Sequence, residues 1–152
     1  MSIENEPGEA RETAPVVVFD TSGRLLLQLR DDLPGLLFRG MIGLFGGHRE
    51  GSETFLECAV RELQEELSYS IPSERFEHIV TFKGAYSELA GATIHAEIFV
   101  VRDVPVDELT VTEGSLVVLD VRQLHELEHR LTPTARIGLT KAVGKRSDDA
   151  LS

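Results

Sequence analysis

The sequence predicts an α/β protein, and three observations carry that reading. A short apolar run at 42–45 (IGLF) leads through Gly46-Gly47 into a stretch of helical periodicity that closes near Tyr69. β-Branched and alternating runs recur at 15–19, 24–30, 76–83, 92–103 and 115–120. Thr132-Pro133 opens a second helical stretch, with threonine as cap and proline in the first turn. At 152 residues this is one domain with enough chain for a full core.

The N-terminal residues 1–13 are polar and acidic, contain Pro7 and Gly8, and read as a flexible tail. The domain is placed at 14–144, and 145–152 reads as a polar C-terminal tail. Residues 15–19 (PVVVF) form a first strand, 20–23 (DTSG) turn the chain, and 24–30 alternate as a second strand, giving a hairpin. Residues 33–41 form a loop broken by Pro34, Gly35 and Gly40, and carry Phe38 and Arg39. After the first helix, 72–75 connect to a strand at 76–83, and 84–91 turn with Tyr86. In the run 92–103 (ATIHAEIFVVRD), Ile94, Ala96, Ile98 and Val100 make the better core face. His95, Glu97 and Phe99 take the other face, which looks either into a cleft or to solvent. A loop at 105–112 precedes Glu113-Gly114 and a strand at 115–120. A short helix at 121–128 follows, and then the last helix, with Ile137, Leu139 and Val143 on a packed side.

The first helix carries the chemistry. Leu56, Ala59, Val60, Leu63 and Leu67 fall on one stripe, the spacing of a face packed on a core. Glu62, Glu65 and Glu66 stand at i, i+3 and i+4, so their side chains crowd one patch. Three carboxylates that close repel one another and should have raised pKa values. A helix used only for packing would intersperse lysines there. A hard divalent cation with oxygen ligands resolves the repulsion, magnesium being the usual one. Gly46 and Gly47 permit backbone shapes closed to other residues and let a carbonyl approach a ligand or metal. Ser52 or Glu53 starts the helix, and Thr54 with Glu57 also fits a capping box.

Composition narrows the partners. The apolar share of 41% and charged share of 27% are ordinary for a soluble domain. The formal net charge of −11 argues against a non-specific grip on nucleic acid or anionic membrane, since both need basic surface. It does not argue against a nucleotide, because a bound cation reverses the local sign. The lone cysteine, Cys58, rules out an internal disulfide and has no second ligand at zinc spacing. No apolar run approaches 18 residues and no signal-peptide pattern opens the chain, so a cytoplasmic setting is expected. His48, after the glycine pair, reads either as a phosphate contact or as a loop histidine without a role. No GxSxG, Walker-type loop or nucleophile–base pair is legible.

Residues 47–69 resemble the signature of the Nudix hydrolases, G-x5-E-x7-R-E-U-x-E-E-x-G-U with U apolar. Gly47 and Glu53 take the first two fixed positions, and Arg61, Glu62, Leu63, Glu65 and Glu66 the next five. Tyr69 takes the last, and Ser68 stands where the family has glycine. That glycine ends a helix, so the departure bears on stability more than on chemistry. The resemblance extends more loosely over 16–139.

The resemblance implies a mixed sheet between helices in an α/β/α sandwich. It implies hydrolysis of a pyrophosphate linkage in a nucleoside diphosphate joined to another group, such as a nucleotide sugar or a nucleoside triphosphate. Glu62, Glu65 and Glu66 are then assigned to Mg2+, with Mn2+ as its substitute, helped by a carbonyl of Gly46 or Gly47. Glu66 or Glu62 accepts the proton of the attacking water, and Arg61 orients Glu53 or a catalytic glutamate. Glu113 matches the loop that supplies a further metal-binding glutamate in many Nudix enzymes. Arg30 and Arg39 are the substrate-contact candidates. The partners expected are small nucleotide-type molecules, with no nucleic acid or membrane, and a homodimer is left open. Two other readings stand beside this one: a catalytically silent binding or regulatory module, and a purely structural acidic helix.

Overall fold

One long strand organises the sheet. The computed structural model describes the backbone of residues 10–36, 38–85 and 93–151, and the side chains among them up to 144, Ala10 excepted. The elements in order are β1 (Ala10–Thr13), β2 (Val16–Asp20), β3 (Leu25–Leu29), β4 (Ile42–Gly43), α1 (Phe55–Leu67), β5 (Glu77–Ala85), β6 (Thr93–Val104), β7 (Ser115–Leu119) and α2 (Pro133–Leu151). Short 3₁₀ helices occupy Ser73–Arg75, Val106–Glu108 and Val121–Arg130. From residue 86 on, the turn expected at 84–91 lies outside the described residues; Gly84 and Ala85 belong to β5.

Strand β6 takes β5 antiparallel and takes both β1 and β2 in parallel. Ala10 faces Thr93 and Val16 faces Phe99, so β1 and β2 follow one register along β6. Pro15, which has no N–H to give, separates them. Strand β3 pairs with β2 in the expected hairpin, and also with β4 and β7. The hairpin turn is tied by Asp20, whose carboxylate accepts from the Ser22 and Arg24 amides and the Arg24 side chain.

The sheet is mixed and covered on both faces. On one face Val17, Leu25, Leu27, Ile94, Ala96, Ile98 and Val100 pack with Ala135, Leu139 and Ala142 of α2. On the other, Val16, Val18, Leu26, Phe99 and Val101 pack with Cys58, Ala59, Leu63 and Leu67 of α1. Alternation sends successive side chains to opposite faces, and a helix on each makes both sets apolar. The layers are therefore α/β/α. Ile94, Ala96, Ile98 and Val100 form a core face as expected, but Phe99 and Val101 on the reverse face are buried as well.

The predicted N-terminal tail is shorter than expected, and the polar C-terminal stretch is helical. Residues 10–13 are strand β1, because a polar segment can still satisfy its backbone by pairing with β6. Helix α2 runs through 145–151, since polar residues without proline or glycine do not stop a helix. Among the described residues no helix is long and apolar enough to cross a membrane.

Candidate active site

The glycine loop is stitched to β1 and β2. The Ala14 amide donates to Gly47 O, Val16 N to Phe45 O, and Arg49 N to Glu12 O, at 2.8–3.0 Å. Gly46 has φ +126°, and a β-carbon there would lie 2.5 Å from Ala14 O. No other residue fits that close approach. The loop feeds α1 through Thr54, whose side chain accepts from Glu57 N while the Glu57 carboxylate accepts from Thr54 N. The Thr54–Glu57 capping box is therefore the start that forms.

Helix α1 presents its acidic face to this loop. Arg61 donates to both oxygens of Glu53 at 2.7 and 3.0 Å, to Glu62 at 3.0 Å and to the His48 carbonyl at 3.2 Å. The Arg61 bonds hold the Glu53 carboxyl down at about 2. Glu65 is exposed and meets the same guanidinium at 3.4 Å. Glu66 is buried at 4% exposure, and one of its oxygens accepts from Gly46 N at 2.7 Å. Burial pushes the Glu66 pKa up to about 8, against the Gly46 bond and with help from Glu62 and Glu113. Burial raises Glu62 too, with Arg61 opposing.

The loop before β7 closes over the end of α1. Thr110 N donates to Leu67 O, Thr112 N to Glu66 O, and the Thr112 hydroxyl to Glu65 O. These bonds satisfy carbonyls that the end of a helix leaves unpaired. They also swing Glu113 over the acidic face, where Gln28 holds its carbonyl at 3.0 Å. Gly114, at φ +66°, makes the turn; a β-carbon there would meet Leu29 O at 2.4 Å.

A cleft of about 680 Å³ joins these parts, lined by Glu62, Glu65, Glu66, Glu113 and the glycine pair. Among the described residues no three His, Cys, Asp or Glu side chains already surround one metal position. Glu62 turns to Arg61 and Glu66 to Gly46 N, as given above. The donor set still fits a hard cation: carboxylates and backbone carbonyls, without sulfur.

The NUDIX domain family model matches residues 9–140. The chain belongs to the Nudix family. A MutT protein from Methanosarcina mazei Go1 superposes with TM-score 0.73 at 16% identity, over 94% of this chain and 99% of that one. A MutT NUDIX hydrolase from Burkholderia pseudomallei gives 0.70 at 22% identity, over 87% and 97%. The dihydroneopterin triphosphate pyrophosphohydrolase of E. coli gives 0.65 at 19%, over 86% and 94%. At these identities the likeness is one of fold. Among curated proteins none matches this chain.

Within the Nudix signature, Ser68 has φ +53° and ψ +39°. It adopts the left-handed conformation that the usual glycine takes without a side-chain penalty. Arg30 lines the cleft, as its place at the end of β3 suggests. Arg39 does not: the turn at Gly40 sends it to Asp32, 3.4 Å away, and it is half-exposed. Glu97 and His95 do not line it either. Glu97 bonds His95, His78 and Thr81 on the β5–β6 surface, and Phe55 lies over the His95 ring.

Sequence reasoning missed Arg11, Thr13 and Gln28, which line the cleft. The available signal was the alternation of Arg11 and Thr13 just before the apolar strand. Cys58 is buried against Gly47 O at 3.5 Å, and burial drives its thiol up to about 12, so it is inert.

Proposed function

We propose that this Nudix hydrolase cleaves the pyrophosphate linkage of a nucleoside diphosphate joined to a further group, using Mg2+ or Mn2+. The observation that carries the reading is the gathering of Glu62, Glu65, Glu66 and Glu113 beside Gly46 and Gly47 in one cleft. A silent module has no need of four acids converging on one cleft.

Glu62, Glu65 and Glu113 would hold the cation, helped by a carbonyl of Gly46 or Gly47. When bound, the cation neutralises the phosphates and acidifies water. Glu66 takes the proton of the attacking water. Its carboxyl lies in the cleft beside the glycine loop, fixed by the Gly46 amide, within the same acidic face as the cation ligands. Arg61 is a positioning residue: it bonds Glu53, Glu62 and the His48 carbonyl of the loop together. Arg30, at the cleft wall, meets the phosphate chain. Small nucleotide-type molecules are the expected partners.

The test is turnover on a panel of nucleoside triphosphates, nucleotide sugars and dinucleotides, with product analysis. Phosphate or nucleotide release should need Mg2+ or Mn2+ and rise toward alkaline pH. Full turnover in excess chelator overturns the reading.

A further inference from the structure

Arg49, two residues after the glycine pair, joins three parts of the chain. Its Nη2 donates to the Glu12 carboxylate of β1 at 2.6 Å. Its Nη1 donates to the carbonyls of Glu53 and Gly51, at 2.9 and 3.2 Å. Its guanidinium stands 5.6 Å from the centre of the ring of Phe55, the first residue of α1. Its Nε is buried without an acceptor, a cost that an apolar side chain would not incur. What the arginine supplies in return is a planar fork that spans three acceptors at once. A lysine ammonium is a single point on a flexible stem and cannot do the same.

The bonds run on toward the cation ligands. Arg49 holds the Glu53 carbonyl, while the Glu53 carboxylate accepts from Glu50 N at 2.8 Å and from Arg61 Nη2 at 2.7 Å. Arg61 in turn donates to Glu62 at 3.0 Å. Glu12, Arg49, Glu53, Arg61 and Glu62 thus form one line of contacts from β1 to the cleft, each link of 3.0 Å or less. Without Arg49, the turn at 50–53 loses its brace, the Glu53 carboxylate moves with its backbone, and Arg61 follows it away from Glu62. We propose that Arg49, braced by Glu12, is a positioning residue for Glu62, acting through Glu53 and Arg61. This deepens the hydrolase reading above and rests on its assignment of Glu62 to the cation.

Charge alone predicts the opposite sign, since removing a guanidinium that lines the cleft should tighten cation binding there. The test therefore uses Mn2+ alone, with the free ion read by electron paramagnetic resonance, in wild type, Arg49→Met, Arg49→Lys and Arg75→Met. Arg49→Met should bind Mn2+ about 3- to 10-fold more weakly, below the roughly 10- to 100-fold usual for a group that touches a ligand directly. Arg49→Lys should recover part of the loss. Arg75 bonds the Arg102 and Asp103 carbonyls at 2.6 and 3.1 Å without lining the cleft, so Arg75→Met should lower the melting temperature and leave Mn2+ affinity unchanged. In a Glu53→Gln background, where the line is already broken, Arg49→Met should weaken Mn2+ by less than about a further twofold. Unchanged or tighter binding by Arg49→Met, equal weakening by Arg75→Met, or full additivity with Glu53→Gln overturns the proposal. If Arg49→Met does not fold, Arg49→Lys decides: it keeps the charge and loses the fork, so wild-type affinity in it overturns the proposal. A chain that binds Mn2+ in the expected pattern yet turns over no substrate of the panel loses the hydrolase reading and keeps the brace. A chain that turns over while Arg49→Met binds Mn2+ normally keeps that reading and loses the brace.

Discussion

Gly47 lets the Glu62 carboxylate lie against the backbone: a β-carbon on it would stand 2.4 Å from the Glu62 carboxyl carbon. Gly47→Ala must therefore push that carboxylate away. The far end of a glutamate can move, so the cost to folding should stay near 1–3 kcal/mol, as for other overpacked sites. Turnover should fall at least about tenfold, since a ligand displaced by an ångström is enough for that. Gly46→Ala meets backbone instead, at 2.5 Å from Ala14 O and with φ +126°. It should cost about 3 kcal/mol or more, from strain and clash together. Melting curves beside turnover separate the two. Equal destabilisation by both would show that the loop yields at either glycine.

Ser68→Gly should stabilise the chain and leave its chemistry alone. Ser68 holds φ +53° at the end of α1, where a side chain is strained and glycine is not. The gain should be at most about 1 kcal/mol, because glycine also has more entropy to lose on folding. Chemical denaturation measures it. A destabilised variant would mean that the serine makes up its strain elsewhere.

The two predicted substrate arginines now part company. Arg30→Ala should lower kcat/KM by roughly 10- to 100-fold, the worth of a charge-assisted contact. Arg39→Ala should change it by less than about twofold, because Arg39 only meets exposed Asp32, and surface pairs contribute little. A large effect from Arg39 would require the 33–41 loop to fold over bound substrate.

Why the sequence told one part of the site and not another has a physical basis. Glu62, Glu65, Glu66 and Arg61 share one helix, so 3.6-residue periodicity alone brings them together. Gly46, Gly47 and Thr54 are legible for the same local reason: turn and cap chemistry acts over a few residues. Glu113 needed the family resemblance, since only the Thr110 and Thr112 bonds to the end of α1 carry it across 47 positions of chain from Glu66. Arg11 had no local signal beyond alternation. Its place depends on β1 pairing with β6, a contact between residues 10–13 and 93–96 that no short window contains. Arg39 misled because a loop arginine near the site looks the same in sequence whether it faces the cleft or Asp32.

Glu66→Gln should separate stability from activity, and pH should show why. The folded chain holds the Glu66 proton up to about pH 8, while the ordinary carboxyl value is 4.5. Between the two, the folded state binds a proton that the unfolded state has lost, so stability falls as pH rises. This contribution is fully present below pH 4.5 and gone above about 8. The slope in that window is at most about 1.4 kcal/mol per pH unit. Glutamine keeps the shape, the helix propensity and an oxygen for the Gly46 amide, and it does not ionise. In excess chelator, wild type should therefore lose melting temperature from pH 5 to pH 8, and Glu66→Gln should lose less. Some slope remains in the variant, because burial raises Glu62 in the same direction. At pH 8 the variant should be the more stable of the two. With saturating magnesium, however, its turnover should drop about 10²- to 10⁴-fold, the usual cost of a lost general base. Parallel pH–melting curves for the two proteins would show that Glu66 ionises normally in the folded chain. Near-normal turnover would move the base to Glu62 or Glu113, and leave Glu66 as a ligand.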